Sequence, residues 1–429
     1  MGTGAGARFC RDPFGRGKGL PRRPGNLFAL VGRTAESTPK TPGARETFAP
    51  PTGIRTGRFE IMAYLICRQV EDYSIPVLRE VVSDVLEHSS LQLKGKKVLV
   101  KPNLLGPFPP ESGVVTHPSL VRAVRDELIA RGAKVMVGDN PGLRGYGLVE
   151  RVGKITGAAE AAGECWVNLS LNPVMARIDS RYIREVQVSR EVLEADILIS
   201  LPKLKTHVST VITGAIKNSY GFLVGGEKAR LHSAAPTHDR FGELVVDVYA
   251  LRPPDLVIMD GIVAMEGNGP SGGLLRKLGL VLAGNSGGAV DLAVCRVMGL
   301  DPGKVPSQRW AMKKGLSPGD LREVELEGDI PRVEGFRLPS TVARLDPLGL
   351  VQRVVFRGIS RPRFSVDRER CDGCASCARG CPAEAVTVKD HPEFDRSHCI
   401  GCYCCFELCP RGAIRIRGFV NLLRRGGSG

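Results

Sequence analysis

The stretch KKVLVKPN at residues 96–103, with SLVRAVRDELIARG at 119–132 and AKVMVGDN at 133–140, decides the fold. The first and third segments are short apolar runs typical of buried strands. The second repeats apolar residues at helical spacing and should end at Gly132. A helix between two apolar strands predicts a βαβ unit, in which the strands are parallel.

The same alternation continues along the chain. Further segments of this kind are ADILISLPKLK (195–205), FGELVVDVYALR (241–252), PDLVIMDG (254–261), LGLVLAGN (278–285) and SGGAVDLAVCRVMG (286–299). Apolar strands separated by helices imply a mostly parallel sheet that is covered on both faces. We therefore predict a three-layer α/β domain, together with a small α+β ferredoxin-like domain at the carboxyl end.

Length and composition fit a globular protein of several domains. The chain has 429 residues, of which 42% are hydrophobic and 24% charged, and no apolar run reaches the roughly 18 residues that a membrane span needs. Its net charge of +15 favours anionic partners. The cysteines are concentrated near the carboxyl end, which favours a reducing compartment, so we expect a cytoplasmic protein without a transmembrane segment.

Shifts in composition divide the chain into five parts. Residues 1–61 are rich in Gly, Pro and Arg and are expected to form a disordered basic extension, with the folded protein beginning at Met62. The predicted parts after it are an α/β domain at 62–330, a linker with a short helix (LGLVQRVVFRG) at 331–360, a two-cluster domain at 361–418 and a flexible tail at 419–429.

An internal repeat with an offset of 28 residues organises the cysteines, nine of which lie between Cys371 and Cys409. Both halves contain C-x2-C-x2-C-x3-C-P. Three closely spaced thiolates can hold one iron–sulfur cubane, while the fourth, before proline, reaches the other cluster. One predicted 4Fe-4S set is Cys371, Cys374, Cys377 and Cys409. The other predicted set is Cys399, Cys402, Cys405 and Cys381.

The fifth cysteine of the second half, Cys404, aligns with Ser376 and is left over. Over residues 361–418 the chain resembles the bacterial-type two-cluster ferredoxins, and two 4Fe-4S clusters are expected in place of the alternatives, zinc or structural disulfides.

Polar residues follow the predicted strands of the α/β domain. They are Asn103, Asp139, Asn140, Lys203, Lys205, His207, Asp260, Glu266 and Asn285. Ligands of open parallel sheets bind beyond the carboxyl ends of the strands, so we expect these residues at one common edge. Asn103, Asp139 and Asn285 also suit turns and helix caps, and this alternative stays open.

The cations of this group are the strongest candidates for ligand binding. Lys203, Lys205 and His207 alternate after a buried strand, and could bind a carboxylate or phosphate or form a solvated basic loop. Lys217 and Asn218 lie in the glycine-rich TGAIKNSYGFLVGG. Asp260 is a candidate acid, base or metal ligand.

At KPNLLGP, GDNPG, LPKLKTH and TGAIKNSYGFLVGG the chain resembles the domain of unknown function 362 family, across about residues 62–330. Members of that family often carry an attached two-cluster ferredoxin. The resemblance implies iron–sulfur binding and adds no known reaction. It marks Lys203, Lys205, His207, Lys217 and Asn218 as family-typical positions.

Two functional hypotheses follow. In the first, two clusters relay electrons between an external donor or acceptor and an anionic small molecule or partner at the basic strand ends, which would suit a ferredoxin-dependent oxidoreductase. In the second, the α/β domain only docks a protein partner, and the clusters serve a carrier, sensor or assembly protein. Nucleic acid binding through residues 1–61 is a third reading, which we do not expect.

Overall fold

The computed structural model describes residues 47–48, 62–342 and 362–417. The strands are β1 (Thr47–Phe48), β2 (Tyr64–Gln69), β3 (Lys97–Pro102), β4 (Lys134–Val137), β5 (Pro173–Arg177), β6 (Glu185–Ser189), β7 (Ile197–Leu201), β8 (Lys203–His207), β9 (Val211–Ile212), β10 (Leu256–Glu266), β11 (Leu274–Gly284), β12 (Glu325–Glu327), β13 (Arg363–Val366), β14 (Val386–Val388), β15 (Pro392–Phe394) and β16 (Ile414–Arg417). The α-helices are α1 (Ile75–Ser89), α2 (Pro118–Ala130), α3 (Val149–Ile155), α4 (Ala158–Ala162), α5 (Arg190–Glu194), α6 (Gly214–Asn218), α7 (Glu227–Ala234), α8 (His238–Leu251), α9 (Gly287–Val297), α10 (Pro306–Lys313), α11 (Ser376–Arg379) and α12 (Cys404–Leu408).

The main sheet has nine strands and is mostly parallel, which confirms the predicted class. Seven strands follow the order β12-β2-β11-β10-β7-β3-β4, and β8 pairs with both β10 and β9. Within the sheet, the antiparallel pairs are those made by β11 and by β9. Since only seven residues separate β10 from β11, this connection allows a hairpin and is too short for a parallel crossover.

Helices cover both faces of this sheet. Val98 and Val100 of β3 pack into one core cluster with Leu78 of α1 and Leu120 of α2. Leu99, between the two valines, points to the other face and packs into a cluster with Leu244 of α8. Because both faces of β3 are buried, its sequence is a continuous apolar run instead of an alternating one, as predicted for a three-layer domain.

The segment after β12 packs on the α/β layers up to Val342. Phe336 lies in the core cluster that also contains Leu282 of β11 and Val294 of α9, and Val333 packs against it. The helix predicted within 348–358 and the tail predicted at 419–429 lie outside the described residues. Of the predicted disordered extension the structure describes Thr47–Phe48, which pairs in parallel with β5.

The last described segment, 362–417, forms two short antiparallel pairs, β13 with β16 and β14 with β15, with helices α11 and α12. It is the predicted small strand-and-helix region. In the described part of the chain we find no helix with the length and apolar character needed to cross a membrane.

Candidate iron–sulfur centres and the basic strand ends

The two cysteine motifs share one backbone conformation. Gly373 and Gly401, 28 residues apart, have φ of 67° and 71°, and the repeat partners Ala375 and Tyr403 have φ of 56° and 65°. A left-handed conformation costs a residue with a side chain roughly 1–2 kcal/mol, so its appearance at Ala375 and Tyr403 indicates a demanding loop shape. The sequence repeat is therefore also a structural repeat.

The first predicted set of thiols surrounds one cavity. Cys371, Cys374, Cys377 and Cys409 all line one cavity. The backbone N–H of Ala413 donates to Cys409 Sγ at 3.2 Å, a contact that stabilises a thiolate. The fourth cysteine thus comes from the other motif, and the four side chains fit the ligand set of a cubane.

The second predicted set is also brought together. Burial raises the pKa of the Cys381 thiol, and the nearby Cys402 and Cys399 raise it further. Burial likewise raises the pKa of Cys405 well above its usual range, with further contributions from its cysteine neighbours. Thiolates placed this close together repel one another. A bound iron cluster would offset that repulsion, because the positive charge of the metal stabilises the thiolate form of each coordinated cysteine.

No three His, Cys, Asp or Glu side chains of the described residues are arranged to hold a single metal ion. The spare Cys404 is buried, and its thiol lowers the pKa of the neighbouring Cys402. In the first motif, Ser376 Oγ lies 3.5 Å from Cys374 Sγ at the equivalent place. The spare thiol therefore neighbours a predicted ligand.

Helix α12 of the second motif packs on the strand ends of the α/β domain, a contact that the sequence did not reveal. Glu407 Oε1 lies 3.5 Å from His207 Nε2. The Tyr403 ring has its centroid 5.4 Å from that of His238. The second cysteine motif is consequently the one adjacent to the predicted basic residues.

Lys203 and Asp260, both candidates, form a buried ion pair. Lys203 Nζ lies 2.8 Å from Asp260 Oδ2 and donates to the Tyr73 hydroxyl at 2.9 Å. That hydroxyl in turn donates to Asp260 Oδ1 at 2.8 Å. The charges of Lys203 and Asp260 therefore compensate each other in the buried sheet. Contrary to the prediction, β10 does not end at Asp260 but continues to Glu266, because β8 and β11 both pair with its second half.

Lys205 and His207 lie on the same face of β8 as Lys203. Among the described residues, neither has an ion-pair partner as close as the one that Asp260 provides for Lys203. Lys205 Nζ donates to the Val114 carbonyl at 2.6 Å, and burial, with repulsion from Lys217 and Lys203, lowers its pKa well below the usual range. His207 Nδ1 accepts the Ser209 N–H at 3.1 Å, so the neutral ring carries its proton on Nε2, which faces Glu407. Burial also lowers the pKa of His207, which keeps it neutral.

Lys217 and Asn218 lie on the short helix α6 and point to different partners. Asn218 Oδ1 accepts from Asn103 Nδ2 at 3.2 Å, and its amide donates to Ser200 Oγ at 2.9 Å. Lys217 keeps partial exposure, and burial lowers its pKa while the charge of Glu407 opposes that change. Asn218 therefore hydrogen-bonds to residues at the ends of β3 and β7, whereas Lys217 lies toward α12.

A buried ion pair beneath α6 was missed by the sequence analysis. Lys101 Nζ lies 2.8 Å from Asp139 Oδ1, with side-chain exposures of 1% and 3%. A Cβ at Gly221 would lie 2.2 Å from Asp139 Oδ1, so glycine is required there. Asp139 was predicted at the strand ends, but Lys101 gave no signal in the sequence beyond being a lysine at the end of an apolar strand.

Lys228 is a second buried cation that the sequence analysis missed. Its Nζ donates to the Asn140 and Pro141 carbonyls at 2.6 and 2.7 Å. Burial lowers its pKa to about 7.

Asn285 and Glu266, both predicted at the strand ends, lie at opposite edges of the sheet. Asn285 follows the antiparallel β11, where Gly284 lies opposite Val257 at the start of β10, so Asn285 is at the opposite edge of the sheet and that expectation was wrong. Glu266 lies near the far end of β10 and pairs with Arg276 at 3.0 Å.

Asp291 of α9, also missed, holds α6 in place. Its Oδ1 and Oδ2 accept the backbone N–H groups of Ala215 and Ile216 at 2.6 and 3.1 Å. Burial raises the pKa of Asp291 to about 7, although these two hydrogen bonds oppose the shift. The carboxyl group thereby positions the helix that carries Lys217.

The raised pKa of Asp291 predicts a pH dependence of stability. Between the ordinary aspartate pKa and about 7 the folded protein binds the extra proton, so this contribution is present at low pH and lost as the pH rises through 7. In the wild-type protein this effect should lower the free energy of unfolding by about 2–3 kcal/mol between pH 5 and 7. Asp291→Asn should abolish that decrease. Urea titrations followed by circular dichroism would test this, and equal pH slopes in both proteins would contradict it.

Two repeated cysteine motifs on a small strand-and-helix module, with the predicted sets of thiols brought together, are typical of a ferredoxin-type iron–sulfur protein. In agreement, residues 363–410 match the 4Fe-4S dicluster domain. Residues 98–296 match the model described as Domain of unknown function (DUF362). The chain belongs to this DUF362 family.

The chain is also similar to a protein of Synechocystis sp. and to a solved lactate racemase structure. The thylakoid-associated protein sll1697 of Synechocystis sp. is 33% identical over 263 residues, which cover 59% of this chain and 79% of the relative. The lactate racemase apoprotein from Thermoanaerobacterium thermosaccharolyticum aligns with a TM-score of 0.31 and 12% identity. That alignment covers 48% of this chain and 51% of the racemase, so the chain spans about half of its length.

Proposed function

We propose that this protein is an iron–sulfur redox protein in which two 4Fe-4S clusters exchange electrons between an external partner and a ligand at the basic strand ends. When bound, each cluster supplies one-electron storage. The first set of cysteines would hold the outer cluster, and the set with Cys381 and Cys405 the inner one. Glu407, Lys217 and His207 are proposed to act on the charge around the inner site.

The observation that carries this proposal is the packing of α12 on the strand ends. It brings Glu407, two residues after Cys405, within 3.5 Å of His207. The charges of Glu407 and Cys404 also act on Lys217. The inner cysteine set is thus coupled to the residues that the family resemblance marks, and covalent attachment keeps the two at high effective concentration.

Exposure distinguishes the two ends of the proposed relay. Cys374 of the outer set is exposed, whereas Cys381 and Cys405 of the inner set are buried. An external protein can therefore approach the outer set most closely. Lys217 and its neighbours stabilise negative charge that is added at the inner set.

Replacing Lys217 by methionine tests this coupling. The reduction potential of the inner cluster should fall by roughly 30–60 mV, because a nearby cation that favours the reduced state is lost, while the outer cluster should stay unchanged. Redox titrations monitored by electron paramagnetic resonance measure both potentials. Lys134→Met, at an exposed site on β4, is the matched control. Equal shifts at both clusters, or no shift at either, would remove the support for this relay.

A further inference from the structure

Glu407 is a carboxylate that the ferredoxin module inserts among the cations of the α/β domain. Its side chain is 16% exposed, and its strongest attractive neighbours are Lys217 and then Lys205. Seen from each of these two lysines, Glu407 is likewise the largest attractive charge. Glu407 thus places an acidic group beside Lys217, Lys205 and the neutral His207, and burial raises its own pKa to about 7.

Glu407 and His207 face each other without forming a close hydrogen bond. The 3.5 Å separation between Glu407 Oε1 and His207 Nε2 exceeds the usual N–H···O distance of about 2.9–3.0 Å. Neither atom has a hydrogen-bond partner among the described residues, although His207 is 99% buried, with 1% of its side chain exposed. Leaving a buried donor unsatisfied costs about 1–3 kcal/mol. The pocket would therefore gain from an anion that sits closer to His207.

We propose that this pocket is the binding site for the carboxylate group of a small organic acid, and that Glu407 occupies the carboxylate position while the ligand is absent. The inference rests on the proposed function and names the class of its substrate. The incoming carboxylate accepts a hydrogen bond from His207 Nε2–H and pairs with Lys217. Helix α12 must withdraw for this exchange, so ligand binding and the position of the inner cysteine set are linked.

The shape of the site favours a small ligand. Lys205 and His207 belong to a fully buried strand, and α6 closes the side next to it. The group that the structure places beside them is the carboxyl group of Glu407, and the proposed ligand group has the same size.

Chemical rescue tests the proposal on the anaerobically purified protein with its clusters. In Glu407→Ala, acetate should raise the melting temperature saturably, by roughly 2–3 °C at ten times its dissociation constant. Chloride at equal ionic strength should have no such effect, and acetate should act more weakly on the wild-type protein, in which Glu407 competes for the site. Glu393→Ala removes an exposed carboxylate of the same module and is the matched control.

A second variant separates the site from a general effect of acetate. Adding Lys217→Met to Glu407→Ala should abolish the rescue. If alanine prevents folding, Glu407→Gln keeps the side-chain shape, and acetate should then accelerate hydrogen exchange in 404–408 at least twofold. No saturable response in either variant, or an equal response in Glu393→Ala, overturns the proposal. A larger rescue by phosphate than by acetate overturns the carboxylate assignment.

The acetate experiment does not depend on electron transfer. If rescue succeeds while Lys217→Met leaves both potentials unchanged, the anion site stands and the proposed relay fails. If the potentials shift as expected and rescue fails, the relay stands and the carboxylate site is wrong.

Discussion

Cys409→Ala is expected to leave about four of about eight iron atoms per chain, and the lost cluster should be the one held by the first motif. The reason is geometric, because Cys409 lines the same cavity as Cys371, Cys374 and Cys377 although it belongs to the second motif. Iron and sulfide analysis of anaerobically purified protein measures the loss. Cys404→Ala, which removes the spare thiol, should retain all eight.

Double variants identify which cluster has been lost. Cys409→Ala combined with Cys371→Ala affects one cluster twice, so about four iron atoms should remain. Cys409→Ala combined with Cys399→Ala affects both clusters and should remove nearly all iron. The reverse pattern would mean that each motif supplies all four of its own ligands, and would refute the exchanged arrangement.

Lys101→Met should lower the free energy of unfolding by about 3–5 kcal/mol, since it leaves the buried Asp139 carboxylate without its cation. Asp139 also accepts the Leu104 N–H at 2.8 Å, so the aspartate cannot simply move to solvent. Lys101→Met/Asp139→Asn removes the stranded charge and should recover much of the loss. Urea denaturation of the three proteins measures these differences.

An exposed ion pair provides the control for this cycle. Arg322 and Asp320 lie 3.1 Å apart with side-chain exposures of 89% and 48%, so Arg322→Met should cost less than about 1 kcal/mol. A loss at Lys101 as small as that at Arg322 would show that the Lys101–Asp139 pair is not a buried determinant of stability.

The layers of the α/β domain could be predicted because they depend on local patterns. Continuous apolar runs such as that of β3 identify strands that are buried on both faces. Gly132 was predicted to end α2, and it follows the helix with φ of 77°. His117, which precedes Pro118 at the start of the same helix, caps it through its Nδ1, which accepts the Ser119 N–H at 3.2 Å. These features need only neighbours in sequence.

The features that escaped prediction depend on contacts between distant segments. The direction of β11 is set by its pairing, so the place of Asn285 could not be read from a strand followed by a turn. Lys101 resembled any lysine at a strand end until its partner Asp139 was placed beside it. Glu407 was one acidic residue within a cysteine motif, and nothing local indicated that it would face the α/β domain.

The internal repeat also bears on how the ferredoxin module is oriented. A module with two nearly equivalent halves could present either helix to a neighbouring surface, but position 379 of the first half is arginine and its repeat partner, position 407, is glutamate. Arg379 would be repelled by the lysines that attract Glu407, so the reversed arrangement is penalised electrostatically. This difference in charge between the duplicated halves thereby favours the orientation in which the second cysteine motif lies against the α/β domain.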